Sequence, residues 1–225
     1  MHTLRRPPSE RAAGLPIGGT NQSRMSKTFI ALIVVVAAVV IVGGWIGGTY
    51  NNLVSLDQAV QAQWATVETA YERRADLIPN LVATVKGVAN FEKSTYIAVA
   101  QARAKAGQVV VNTGTAAPTS AATLAQFDQA QGGLTSALTR LLAVVENYPD
   151  LKANENFLDL QAQLEGTENR IAVERRRYNE DVQAFNTARQ SFPTTLVAGM
   201  FGDRFDVKPF FQAQPGAENA PKVSF

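Results

Sequence analysis

Glu68, Glu72 and Asp76 are the first residues whose types and spacing could do chemistry: they fall at i, i+4 and i+8 and share one face if their segment is helical. Grouped carboxylates serve acid–base catalysis or hold divalent metals. Like charges at that spacing also repel by roughly 0.2–0.5 kcal/mol per pair, so the stripe calls for an opposing cation. Arg73 and Arg74 lie beside it, and far down the chain Arg170, Glu174, Arg177 and Asp181 alternate in sign at spacings of four, three and four. These charges are read as an inter-helix polar cluster of Glu68, Glu72, Arg74, Asp76, Arg170, Glu174 and Asp181. In it Arg74 meets Glu174 or Asp181, and an arginine of the last helix meets the acidic stripe. Ions of this kind fix helix register more than they add stability. A solvated charge ladder is the plainer reading. A metal-dependent hydrolase using Glu68, Glu72, Asp76 and Glu168 is the chemical one.

The remaining composition gives that chemistry little help. The single histidine is His2 and there is no cysteine. That leaves no base for a Ser–His or Cys–His nucleophile, no thiolate metal site and no Glu-x-x-His pair of a di-iron bundle. Gly43-Gly44 and Gly132-Gly133 lack the flanking pattern of a phosphate-binding loop. No catalytic residue, metal or cofactor is therefore assigned, and the protein is read as non-enzymatic.

The elements that must carry the cluster begin with an anchor. Residues 29–48 read FIALIVVVAAVVIVGGWIGG, and no charge occurs from Thr28 through Leu56. About 20 apolar residues span a bilayer, and Trp45 and Tyr50 suit an interfacial aromatic belt. A buried core helix and a cleaved signal sequence are the rivals. Residues 1–28 carry Arg5, Arg6, Arg11, Arg24 and Lys27 against Glu10, a net +4 within a total of +2, so the rest of the chain is −2. The folded part has no basic patch that suggests nucleic acid. Basic residues near the span all precede it, and the first after it is Arg73. The N-terminus is thus expected in the cytoplasm and the helical domain on the extracytoplasmic side.

From Leu53 the apolar residues recur every three or four positions, through Val60, Trp64, Val67, Tyr71, Ile78, Leu81, Val85 and Val88. This predicts one long helix kinked at Pro79, or two nearly coaxial ones, ending near Gly107. Residues 107–120 read as a loop. A second helix is expected over about 121–147 and a last one over about 155–190, with Asn154 as its N-cap. In the last, Phe157, Leu164, Ile171, Tyr178, Phe185 and Phe192 repeat every seven residues, the seam of a bundle or coiled coil. The fold class is all-α: an N-terminal transmembrane helix followed by a long antiparallel helical bundle. Its expected parts are a disordered 1–28, the anchor 29–48, the bundle 50–192 and a tail 193–225. The tail holds five phenylalanines, Phe201, Phe205, Phe210, Phe211 and Phe225, too many for a disordered segment. It is expected to dock on the bundle.

Three stretches carry a family resemblance: YNNLVSLDQAVQAQWATVETAYERRADLIPNLVATVKG (50–87), ENYPDLKANENFLDLQAQLEGTENRIAVERRRYNEDVQAFN (146–186) and FPTTLVAGMFG (192–202). They resemble the LemA family of bacterial membrane proteins. The resemblance implies a short N-terminal anchor followed by an antiparallel helical bundle, and it implies no enzymatic activity. The partners expected are the membrane itself, other envelope proteins and a second copy of the chain. A regulator of membrane proteases or stress signalling would differ only in which partner it meets.

Overall fold

The computed structural model describes residues 26–88, 91–113 and 116–212. Six α-helices and one 3-10 turn account for most of them, and there is no strand among the described residues. The chain divides into two compact units, one ending at Gly44 and the other beginning at Trp45. The helix α1 (Lys27–Lys86) runs through both. Within the first unit every side chain from Lys27 to Gly44 is exposed, and the stretch is long and apolar enough to cross a membrane. Residues 1–25 of the expected disordered segment lie outside the described residues, while Lys27 and Thr28 already belong to α1.

In the second unit α1 buries Leu53, Val60, Trp64, Val67, Tyr71, Arg74, Ile78, Leu81 and Val85, a stripe at helical spacing. Pro79 sits inside the helix without ending it. Proline has no N–H, so the Ala75 carbonyl four residues back loses its helical donor. Arg103 supplies one: its Nε donates to that carbonyl at 2.8 Å. Replacing Arg103 with alanine is expected to cost about 1–2 kcal/mol by leaving the carbonyl unmet. Pro79→Ala, which restores the N–H, should shrink that cost, and a double-mutant cycle by urea unfolding reads the coupling.

The helix stops at Gly87, whose N–H reaches both Ala83 O and Thr84 O at the tightened last turn. A turn leads to α2 (Lys93–Thr113), which returns antiparallel: Lys86 lies over the Tyr96 ring and Arg103 reaches Ala75. The expected helix running on to Gly107, and the loop over 107–120, are both corrected here. Gly107 is inside α2, and the break falls between Gly87 and Glu92. The apolar period hid the break because the turn itself is packed: Phe91 is buried and Val88 leans on the same core.

The helix α3 (Ala121–Val145) starts at Ser120, whose Oγ accepts from the Thr123 N–H at 3.1 Å. It runs parallel to α1, with Phe127 against Trp64 and Tyr71, and Gln131 and Thr135 at Arg74. A single turn, α4 (Pro149–Lys152), precedes α5 (Glu155–Gln190). Asn154 caps α5 by accepting from the Phe157 N–H at 3.1 Å. This helix is antiparallel to α1: Trp64 lies against Tyr178 and Arg74 against Glu168, so ten residues forward on one are ten back on the other. The seven-residue seam holds from Phe157 through Phe185, all buried, and ends there, since Phe192 is 81% exposed.

Beyond α5 the chain forms a short helix, α6 (Thr194–Met200), and a 3-10 turn over Gly202–Phe205. Gly202 opens that turn with φ of +59°, a left-handed conformation that favours glycine. Residues 206–212 then lie extended along α5 as a strap.

Candidate functional site: a buried polar layer and the strap beside it

Two apolar clusters fill the second unit. One centres on Leu53, Trp64, Phe127, Tyr178, Phe185 and Phe211, the other on Ile78, Leu81, Leu134, Leu141, Phe157 and Leu164. Arg74 stands between them, 1% exposed. Its Nη1 donates to Thr135 Oγ1 at 2.9 Å and to Glu168 Oε1 at 2.8 Å, and its Nη2 donates to the Gln131 side-chain and backbone oxygens. The guanidinium also lies over the Tyr71 ring, 5.0 Å from its centroid. Gln131 and Thr167, both buried, occupy the positions on α3 and α5 where their apolar stripes are interrupted. Three helices therefore place their polar seam residues at one level. The expected meeting of Arg74 with Glu174 or Asp181 gives way to Glu168. Glu174 is six residues further along α5, about 9 Å of helix, and Asp181 about 20 Å.

The other cluster residues are distributed rather than gathered. Glu174 is buried and accepts from Gln63 Nε2 at 2.9 Å and from Arg177 at 3.2 Å. The Gln63 bond holds its carboxyl below the ordinary range, burial opposes this, and Arg177 and Arg170 pull further down. Arg170 is exposed and 4.0 Å from Glu174. Burial, then the charge of Glu180, pushes the Asp181 carboxyl up. Glu72, Arg73 and Asp76 are exposed. The last-helix arginine that reaches across the bundle is Arg175, and it pairs with Asp128 at 2.9 Å rather than with the acidic stripe. Among the described residues, no three His, Cys, Asp or Glu side chains are grouped to hold a metal ion, and the four carboxylates of the hydrolase reading do not converge.

Glu68 is buried beside Trp64, and neither its Oε1 nor the Trp64 Nε1 finds a hydrogen-bond partner among the described residues. Burial pushes the Glu68 carboxyl above its ordinary range, the nearby Trp64 indole draws it back, and the charge of Glu72 adds to the rise. A carboxyl raised in this way stabilises the fold fully below the unfolded value of about 4.3, and the contribution fades as pH rises through the folded value. Glu68→Gln is accordingly expected to melt above the parent at neutral pH. The two melting temperatures should converge near pH ~4, as thermal scans at both pH values will show.

The strap is held by side chains that imitate a strand. Asn186 donates to Lys208 O and accepts from the Lys208 N–H, both at 2.9 Å. Seven residues earlier Asn179 donates to Phe211 O at 3.0 Å and accepts from the Phe211 N–H at 2.9 Å. Lys208 pairs with Asp57 of α1 at 2.8 Å, and Arg175 stacks on Phe211 at 4.3 Å. Phe205 and Phe211 enter the core, Phe201 and Phe210 remain partly exposed, and Phe225 lies outside the described residues. Between the strap and α3 runs a groove of about 690 Å³, lined among others by Leu124, Ala125, Gly132, Ser136, Pro209 and Phe210. The sequence reading singled out neither the two asparagines nor this groove. Asn179 and Asn186, one heptad apart beside the seam of α5, were the signal for the first.

The chain is similar to the magnetosome protein MamQ 2 of Paramagnetospirillum magneticum, with 27% identity over 187 residues, 75% of this chain and 66% of the relative. It is similar to MamQ of Magnetospirillum gryphiswaldense at 26% over the same shares, and to protein LemA of Metamycoplasma hominis at 28%, covering 67% of this chain and 64% of that one. The matches thus span just under two thirds of the relatives' own length. The family model for the LemA family matches residues 63–225, which include the polar layer, the strap's asparagines and the groove. On that match the chain belongs to the LemA family.

Proposed function

We propose that the chain is a non-enzymatic, single-pass protein of the bacterial envelope whose bundle binds an apolar helix of another envelope protein. The observation that supports this reading is the groove between α3 and the strap. Inside the bundle the Arg74 guanidinium is engaged through its two Nη groups with Gln131, Thr135 and Glu168. The groove instead offers apolar wall on both sides, with Leu124 and Ala125 facing Pro209 and Phe210. Small residues along α3 let a partner helix approach closely. Relatives that carry two different names, magnetosome protein and LemA, suit a bundle whose role is set by what it meets. Lys27 before the span, and the lack of any basic residue after it until Arg73, favour a cytoplasmic N-terminus.

The test is a photo-reactive residue placed at Gln129 or Ser136, both exposed in the groove, and at Glu165 on α5 as the control. Illumination of intact membranes followed by mass spectrometry should give recurrent links to one envelope protein from the first two sites only. Links to copies of this chain would make the groove a self-association surface. Groove sites that link no more than Glu165 would end the reading.

A further inference from the structure

A second apolar surface lies at the end of the bundle where α1 enters it. The helix α6 packs Val197 and Ala198 inward and leaves Leu196 60% and Met200 69% exposed, and Phe192, just before it, is 81% exposed. Leu196 and Met200 fall at i and i+4, on one face of α6, and Phe192 and Phe201 are exposed just before and just after the helix. No charged residue occurs from Gln190 through Gly202; Arg189 precedes the stretch, and Asp203 and Arg204 follow it. A contiguous apolar face on an otherwise polar bundle marks a contact surface.

The position of α6 identifies what it contacts. Thr194 shares a small cleft with Trp45, Gly48, Thr49 and Asn52. Phe201 and Phe205 pack on Tyr50, at 4.7 and 5.5 Å between ring centroids, and Arg204 lies over the same ring. Trp45 follows Gly44 directly in α1, and Asn52 is seven residues beyond Trp45, about 10 Å of helix. Any surface touching Trp45–Asn52 therefore sits at the level where the charge-free stretch of α1 leaves the hydrocarbon. Trp45 and Tyr50 are side chains suited to the headgroup region. We infer that α6 is an interfacial helix: Leu196 and Met200, with Phe192 just before them, insert into the edge of the bilayer. Such a helix lies in the interface with its apolar side at the acyl boundary. The inference rests on the reading of α1 as the membrane span.

The chain has no cysteine, so single labels are unambiguous. Full-length protein carrying Leu196→Cys, Met200→Cys, Leu158→Cys or Val36→Cys is spin-labelled and reconstituted into vesicles of phosphatidylcholine with a minor share of phosphatidylglycerol. All four positions are exposed, so the substitutions leave the core untouched. The nitroxides at 196 and 200 are expected to collide more with oxygen, which concentrates in lipid, than with an aqueous nickel chelate, as does the one at 36, while the one at 158 behaves oppositely. Labels at 196 and 200 that follow 158 while 36 remains in lipid would overturn the interfacial helix and leave the span standing. A water-exposed label at 36 would remove the span and the inference with it. Labels at 196 and 200 shielded from both reagents, with spin–spin broadening, would mean that a second copy covers α6, and would overturn it too.

Discussion

Arg74→Ala is expected to lower the stability of the folded chain by about 3 kcal/mol, near the bottom of the range for breaking a buried ion pair. The guanidinium fills the space between two apolar clusters and engages three helices at once, donating to Gln131 and Thr135 of α3 and Glu168 of α5. Alanine removes all of those bonds and leaves a cavity. It also strands Gln131, which is 5% exposed. The loss stays near 3 rather than 5 because Glu168 is 39% exposed and its carboxylate recovers solvation. A drop of about 6–12 °C in melting temperature is the corresponding observable for a chain of this size. Arg74→Met, which refills the volume without the charge, should fall between alanine and the parent. Methionine losing as much as alanine would make the hydrogen bonds, rather than the packing, the whole effect.

The same substitution separates the observed pairing from the one that charge spacing suggested. In a double-mutant cycle, Arg74→Ala and Glu168→Ala should couple by at least about 0.5 kcal/mol, the range for residues in contact. Arg74→Ala and Asp181→Ala should add independently, because Asp181 lies some 20 Å along α5 from Glu168. Additivity in the first cycle would show that the ion pair contributes nothing beyond what each side chain does alone.

Why the charges pointed to the right helices but the wrong acid is a matter of period. Glu174 does hold a buried seam position, but six residues beyond the level of Arg74; Asp181 would hold one only if α5 repeated every 3.5 residues, and a straight helix turns every 3.6. By the fourth heptad the buried position has drifted from Asp181 to Val182, which is fully buried. Register along α1 was also open until contacts such as Trp64 on Tyr178 set it. A closer signal was present in the interruptions: Arg74, Gln131 and Thr167 each break an apolar stripe, and three breaks that fall at one level mark a shared layer. The all-helical class, the Asn154 cap and the seam of α5 were legible because each depends on local spacing. The turn at Gly87 was not, because a buried turn keeps the apolar rhythm of the helices beside it. Nor was the Glu68 site, whose character comes from Trp64 one turn away and from burial that no single-helix pattern reveals.

Removing the ring of Phe211 is expected to have the second large effect, about 3 kcal/mol, again at the low end for a buried phenylalanine. The ring stacks on Trp64 at 6.0 Å, meets Tyr178 at 5.3 Å and Phe127 at 6.5 Å, and carries Arg175 on its other side at 4.3 Å. Its position on a peripheral strap limits the cost. Once the penalty of an internal cavity exceeds the free energy that docks residues 206–212, the strap lifts and the cavity opens to water instead. Fluorescence distinguishes the two outcomes, since the chain has only Trp45 and Trp64. In a Trp45→Phe background Phe211→Ala should shift Trp64 emission to the red and make the strap sensitive to protease at temperatures where the helices remain folded. Asn179→Ala, which removes two hydrogen bonds and no core volume, should cost only about 1–2 kcal/mol and leave the emission in place. A full loss of stability in Phe211→Ala with Trp64 still blue would mean that Asn179, Asn186 and the Lys208–Asp57 pair hold the strap down over an empty site, so that docking rests on its polar contacts rather than on its aromatic one.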